Sequence, residues 1–185
     1  MSLKSDAQHW GSVAKFFHWI SVLLIIGVGT VGLIMANLPK KPSLFPVYNM
    51  HKSFGLTMLA LAVLRLAWRA FDPHPREPAG MPRWQVLGAR AGHALLYVLM
   101  FAMPLSGWLF DSAAALRPLY WFNLIPIPSL TGGPDTDLKA RAHIVHEALF
   151  FLLVAVAAGH AAMAVVHQYI QRDGILARML PNWRR

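Results

Sequence analysis

Three features of the sequence predict an all-α membrane protein, a bundle of four transmembrane helices. Its 185 residues are 56% hydrophobic and only 14% charged, four apolar runs approach bilayer length, and Lys and Arg fall mainly between those runs. A soluble domain carries about a quarter charged residues, whereas a helix crossing ~30 Å of hydrocarbon needs ~20 mostly apolar ones. The length suits a single domain, 1–185.

The first helix is expected at about 14–37, where residues 16–36 carry no charge. It follows Lys4 and Lys15 as a signal peptide would. Its 21 uncharged residues, however, exceed an h-region of ~7 to 15, and no A-x-A site follows, so the segment is expected to remain in the mature protein. The second helix, about 47–70, has Lys52 and Arg65 near its two ends, where long side chains snorkel toward headgroups. The third, about 88–110, and the fourth, about 142–170, are uncharged over 94–110 and 148–166. Prolines punctuate the connections NLPKKPSLFP, DPHPREPAGMPR and a longer segment from Asp111 to about Arg141 that contains PIPSLTGGPD.

Orientation follows from cation counts on alternate sides. With the N-terminus inside, Lys4, Lys15, Arg65, Arg69, Arg76, Arg83, Arg90, Arg172, Arg178, Arg184 and Arg185 are cytoplasmic, eleven in all; Lys40, Lys41, Lys52, Arg117, Lys139 and Arg141, six, lie opposite. The positive-inside bias places both termini in the cytoplasm. The net charge of +9 is thereby explained by topology and lipid headgroups, and nucleic acid is not an expected partner. Absence of cysteine excludes disulfides, iron–sulfur clusters on thiolates and covalent c-type haem attachment.

Seven of the nine histidines segregate into two layers on this topology, while His9 and His74 fall in polar flanks. His18, His93, His160 and His167 belong to the cytoplasmic layer; His51, His143 and His146 belong to the other. A lone membrane histidine bonded to a neighbouring helix is the bland reading, but two layers that each pair helix 4 with another helix point to a cofactor. Neutral imidazole is a good axial ligand for haem iron, and bundle cores hold such groups between facing helices. In HEALFFLLVAVAAGH, His146 and His160 are fourteen residues apart, which on a helix is roughly 21 Å along the axis and about 40° in azimuth. Helix 4 can therefore give one ligand to each layer. The favoured pairs are His18 with His160 and His51 with His146. His143 competes with His146 but lies about 260° from His160, and His93 competes with His18, which sits deeper in its apolar run.

Gly32 and Gly107 lie fourteen residues after His18 and His93, where a flat macrocycle needs room, although small residues also let helices pack closely without one. Arg65, fourteen after His51, needs an anion inside the membrane, and a haem propionate would serve.

The motifs SVAKFFHW, NMHKSFG, LRLAWR, AGHALLYVLMFAMPLSGW and VHEALFFLLVAVAAGHAAMAVVHQYI resemble the bacterial cytochrome b561 family over nearly the whole chain. The chain does not resemble the six-helix eukaryotic branch that uses ascorbate. The resemblance implies a four-helix inner-membrane protein with two b-type haems, held by His18, His51, His146 and His160. Some relatives of this kind oxidise superoxide at the periplasmic face and pass the electron to ubiquinone.

Two imidazoles per iron leave no open position, so the expected activity is electron transfer rather than oxygen chemistry at the metal. The leading expectation is an oxidoreductase linking a periplasmic donor, with superoxide the candidate, to membrane quinone. The cationic set opposite the cytoplasm could attract an anion, or be ordinary loop charge beside lipid. His167, seven residues past His160, could serve quinone or a propionate. The alternatives are a cytochrome b subunit docking a periplasmic dehydrogenase or hydrogenase, and a haem-free transporter with a histidine relay.

Overall fold

A computed structural model describes residues 2–39, 41–78 and 80–180; Lys40, Arg184 and Arg185 of the orientation count lie outside them. Four long helices run as α1 (Ser12–Asn37), α2 (Phe45–Phe71), α3 (Arg83–Ala114) and α4 (Thr136–Val166), with a short α5 (Ile175–Met179). All four are long and apolar enough to cross a membrane. Large side chains such as Leu23, Ile26, Leu33, Val63, Leu64, Val98 and Phe151 stand exposed along them. That pattern suits a chain whose helices face acyl chains, where every backbone polar group must be satisfied within the helix.

The helix ends have local causes. α1 stops at Leu38, whose extended backbone precedes Pro39, because the residue before proline is forced out of the α region. A 3₁₀ turn at Pro42–Leu44 leads into α2, which carries Pro46 in its first turn, where a missing N–H costs nothing. α3 begins after Pro82 and ends on Ala115 in the left-handed region at φ 45. α4 starts earlier than the apolar run suggests because Asp135 caps it, its carboxylate accepting from Leu138 N at 2.9 Å. α4 then continues into a π-helical turn, His167–Gln171, closed by Arg172 at φ 57.

The long connection from α3 to α4 contains a feature the sequence reading did not anticipate. A two-stranded antiparallel hairpin pairs β1 (Leu119–Trp121) with β2 (Ile125–Ile127) in the register Tyr120 opposite Pro126. Phe122 and Asn123 turn it at φ 50 and 60, conformations that few non-glycine residues adopt without outside support. The support comes from α2. Phe122 N donates to Ser53 Oγ at 2.9 Å, Trp121 Nε1 donates to Thr57 Oγ1 at 3.0 Å, and the Phe122 ring meets Phe54 edge-on.

At the other end the termini are tied together. Lys15 Nζ donates to Leu180 O and Trp19 Nε1 to Met179 O, each at 3.0 Å. Ser5 donates through N and Oγ to Asp72 after α2 at 2.8 and 2.5 Å, and Arg76 N donates to Ala7 O. Both described ends of the chain therefore lie at the end of the bundle opposite the hairpin.

Backbone packing joins neighbours in sequence: α1 on α2, α2 on α3, and most extensively α3 on α4. Midway along, Met58, Ala62 and Met100 form a buried cluster flanked by Leu24, Ile25 and Phe101. Met58 is seven residues after His51, Met100 seven after His93, and buried Leu153 of α4 lies seven from both His146 and His160. An apolar layer thus separates the two sets of histidines.

Candidate functional site

Across the bundle, α4 meets α1 and α2 through imidazoles. His18 of α1 and His160 of α4 have ring centres 6.2 Å apart, and His51 of α2 and His146 of α4 have theirs 6.4 Å apart. Two imidazoles facing each other across one metal ion, each nitrogen about 2 Å from it, would have ring centres roughly 6 Å apart. Both pairs match that spacing. His93 approaches His160 at 5.2 Å, edge-on, and His143 packs on Phe110 at 5.1 Å. The structure thus brings together the two favoured pairs, with His93 as a third ring beside His160.

His146 is held from α3. Its Nδ1 lies 3.1 Å from Met103 O and 2.9 Å from Ser106 Oγ, and Ser106 Oγ itself donates to Met103 O at 2.8 Å. A carbonyl only accepts, so the imidazole proton sits on Nδ1 and Nε2 keeps its lone pair. A ring oriented in this way by its second nitrogen is prepared to bind a metal. His51 Nδ1 is buried without a hydrogen-bond partner among the described residues, although the Val28 backbone of α1 faces the ring.

Gly32 and Gly107 make room for the imidazoles themselves. A Cβ on Gly32 would stand 3.1 Å from His51 Cε1, and one on Gly107 would stand 2.9 Å from His146 Cε1. The sequence reading assigned these glycines to the space of a macrocycle; the contacts assign them to the rings of the hairpin-end pair. Beside His51, a cavity of about 260 Å³ between α1 and α2 is lined by Leu23, Gly27, Val31, Met50 and Phe54 among others. Apolar walls, paired imidazoles and absence of thiols fit a non-covalent b-type haem.

Three charged groups refine the expectations. Arg65 Nη2 donates to His18 Nδ1 at 3.3 Å, so the predicted intramembrane arginine does stand in the termini-end layer. Lys52, a member of the cationic set opposite the cytoplasm, is paired with Asp111 at 3.0 Å, both half-buried. Arg117 lies over the Phe45 ring at 3.9 Å. His167 is buried, and its Nδ1 donates to Asp173 Oδ2 at 2.5 Å, while Asp173 Oδ1 accepts from Ile175 N. His9 and His74 stay outside both layers, His9 near Asp6 and His74 edge-on to Trp10.

Four membrane-length helices enclosing imidazole pairs at both ends define a multi-pass membrane protein built to carry redox groups. Over residues 9–182 the chain matches the family of prokaryotic cytochrome b561, and it belongs to that family, whose members are b-type haem membrane electron-transfer proteins. It is 31% identical to cytochrome b561 homolog 2 of Escherichia coli (strain K12) over 183 residues, covering 97% of this chain and 95% of that protein. Cytochrome b561 homolog 1 of the same organism is 27% identical, covering 90% and 94%. The probable superoxide oxidase CybB of Yersinia pestis is 27% identical, covering 90% and 93%.

Proposed function

We propose that the whole chain, 1–185, acts as one di-haem unit in the bacterial inner membrane, passing electrons between a periplasmic donor and membrane quinone, ubiquinone where that is the quinone present. His18 and His160 would hold the haem at the termini end, read as cytoplasmic, and His51 and His146 the haem at the hairpin end. The observation that carries this reading is the pair of matching ring separations, 6.2 and 6.4 Å, at opposite ends of four membrane-length helices. Haem supplies reversible one-electron chemistry when bound.

The chain's own residues set where that chemistry happens. The two imidazoles of each pair would hold one haem between them and would leave no position on its iron for a substrate. Met103 and Ser106 fix the His146 ring. Arg65 supplies a cation for a haem carboxylate, and the buried His167, its Nδ1 donating to Asp173, offers its other ring nitrogen as a hydrogen-bond partner for quinone at the termini end. Superoxide as donor is supported by the similarity to the Yersinia relative, a probable superoxide oxidase. It is also supported by a small excess of cations at the hairpin end, where Lys40 (outside the described residues), Lys41, Lys52, Arg117, Lys139 and Arg141 outnumber Asp111, Asp135, Asp137 and Glu147; a net positive field raises local anion concentration. Lys52, tied to Asp111, contributes less.

The test is a reduced-minus-oxidised spectrum of the purified protein with haem quantitation. Two haems per chain, removed completely by acid-acetone, are expected; colourless protein from haem-sufficient cells refutes the reading. A second reading, a cytochrome b subunit docking a periplasmic dehydrogenase or hydrogenase, is favoured by the exposed Leu116 before the hairpin and Leu124 in its turn. Turnover by the purified chain alone separates the two.

A further inference from the structure

Near the end of α2 two arginines share one aromatic ring. Arg65 Cζ lies 5.5 Å and Arg69 Cζ 5.8 Å from the centre of Tyr97 on α3. They are four residues apart on one helix, where like charges repel, and neither has a carboxylate partner within ion-pair distance among the described residues. Asp72, three residues beyond Arg69, is already engaged by Ser5 through both oxygens. Two half-buried guanidiniums held together in this way require an anion.

Arg65 carries a further contradiction. Its Nη2 donates to His18 Nδ1, and a guanidinium has no acceptor, so this contact needs the imidazole proton on Nε2. An imidazole that binds metal through Nε2 carries its proton on Nδ1. The contact and the ligation exclude each other, so Arg65 must leave His18 when His18 becomes a ligand, and the Arg69–Tyr97 neighbourhood is where its guanidinium already leans.

We infer that Arg65, Arg69 and Tyr97 form a two-guanidinium clamp for the carboxylates of the haem at the termini end, with Arg69 the member that never contacts a ligand histidine. The inference rests on the haem assignment of the proposed function. Arginine presents a planar fork matched to carboxylate, whereas Lys offers a point charge. Two cations beside a haem also favour its ferrous form, which carries one positive charge fewer. A lipid phosphate offers the same oxyanion chemistry, and the experiment must separate the two sources.

The test uses the full-length haem-loaded protein in phosphatidylcholine nanodiscs, with the two haems resolved by spectroelectrochemical titration. Arg69→Gln is expected to shift one haem toward ferric about tenfold, 59 mV for a one-electron couple, a size in keeping with loss of one charge at an effective dielectric of about 20. The other haem should stay unmoved, and Arg69→Lys should restore most of the shift. In a second arm that needs no variant, haem-depleted wild type is reloaded with haem or with its dimethyl ester. The ester should be retained about tenfold less at the termini-end site, the loss expected of a charge-assisted contact. Unchanged potentials in Arg69→Gln, equal retention of haem and ester, or a shift seen only when phosphatidylglycerol is added would each overturn the clamp, the last by assigning the arginines to lipid. Wild type that binds no haem overturns the proposed function itself, an outcome distinct from two normal haems with no response at Arg69.

Discussion

Gly107→Ala offers a direct probe of the hairpin-end site. The added Cβ would lie 2.9 Å from His146 Cε1, 3.3 Å from Nδ1 and 3.7 Å from Nε2. Ordinary carbon contacts are about 3.5–4.0 Å, so the ring must retreat by roughly 0.6–1 Å. It has little freedom to do so, because Nδ1 is tethered to Met103 O and Ser106 Oγ on the same helix as the new methyl. Overpacking of this kind costs about 1–3 kcal/mol. If the cost falls on the liganded geometry, haem affinity at this site drops by roughly 5- to 150-fold. The assay is haem content by pyridine haemochrome together with low-temperature difference spectra. The expected result is loss of one of two spectral components, with a milder loss in Gly32→Ala, where the Cβ meets His51 Cε1 at 3.1 Å. Gly55→Ala on the His51 helix, with nothing within 4 Å, is the neutral control. Full retention of both components in Gly107→Ala would refute the placement of His146 at a haem.

His146→Ala is expected to remove the hairpin-end haem and His160→Ala the termini-end one, while His143→Ala retains both; haem counts on the purified variants check this. If superoxide is the donor, rapid-mixing haem reduction should slow as salt rises, since exposed charges are screened over about 8 Å at physiological ionic strength. Asp111→Asn should speed it by freeing Lys52, and insensitivity of the rate to superoxide dismutase would remove superoxide as the donor. Asp173→Asn should weaken the buried His167 contact by about 1.5–3 kcal/mol and slow quinone reduction without altering either haem spectrum. The Asp6 carboxyl is held below its usual 3.8 chiefly by the N–H groups of Gln8 and His9. A depressed folded pKa stabilises above the unfolded value and is lost as pH falls through the folded one. Protection of those two amides, corrected for intrinsic exchange rate, should therefore persist at neutral pH and fade only below 3.8.

The helices were legible because apolar runs of bilayer length have few other uses, and the paired imidazoles because a fourteen-residue spacing on one helix fixes both height and azimuth. What stayed hidden depends on contacts between segments far apart in sequence. The hairpin at 119–127 is short, contains Pro126 and turns on Phe122, so no local strand signal marks it; its stability comes from Ser53 and Thr57 on another helix. Asp111 neutralises Lys52 across 59 residues, which a charge count cannot register. Ser106 and Met103 carry no ligand signature, and their role as the holders of His146 emerges only when α3 lies along α4. Asp173 was the one partner within reach of sequence reasoning, six residues past His167, but the π-helical turn that brings them together is not a spacing that helix periodicity predicts.

The apolar layer between the two sets of histidines has an electrical consequence. The layers are separated by fourteen residues on α4, roughly 21 Å of a hydrocarbon thickness of ~30 Å. A unit charge moved across a whole bilayer exchanges about 2.3 kcal/mol per 100 mV with the membrane potential. An electron travelling from the hairpin end to the termini end would cross about two-thirds of that drop, roughly 1.6 kcal/mol per 100 mV. With the termini end cytoplasmic, as proposed, and the cytoplasm negative, the work opposes that travel. The electron distribution between the two ends should therefore respond to voltage by more than tenfold per 100 mV, making an energised membrane a brake on the flow that a collapsed one releases.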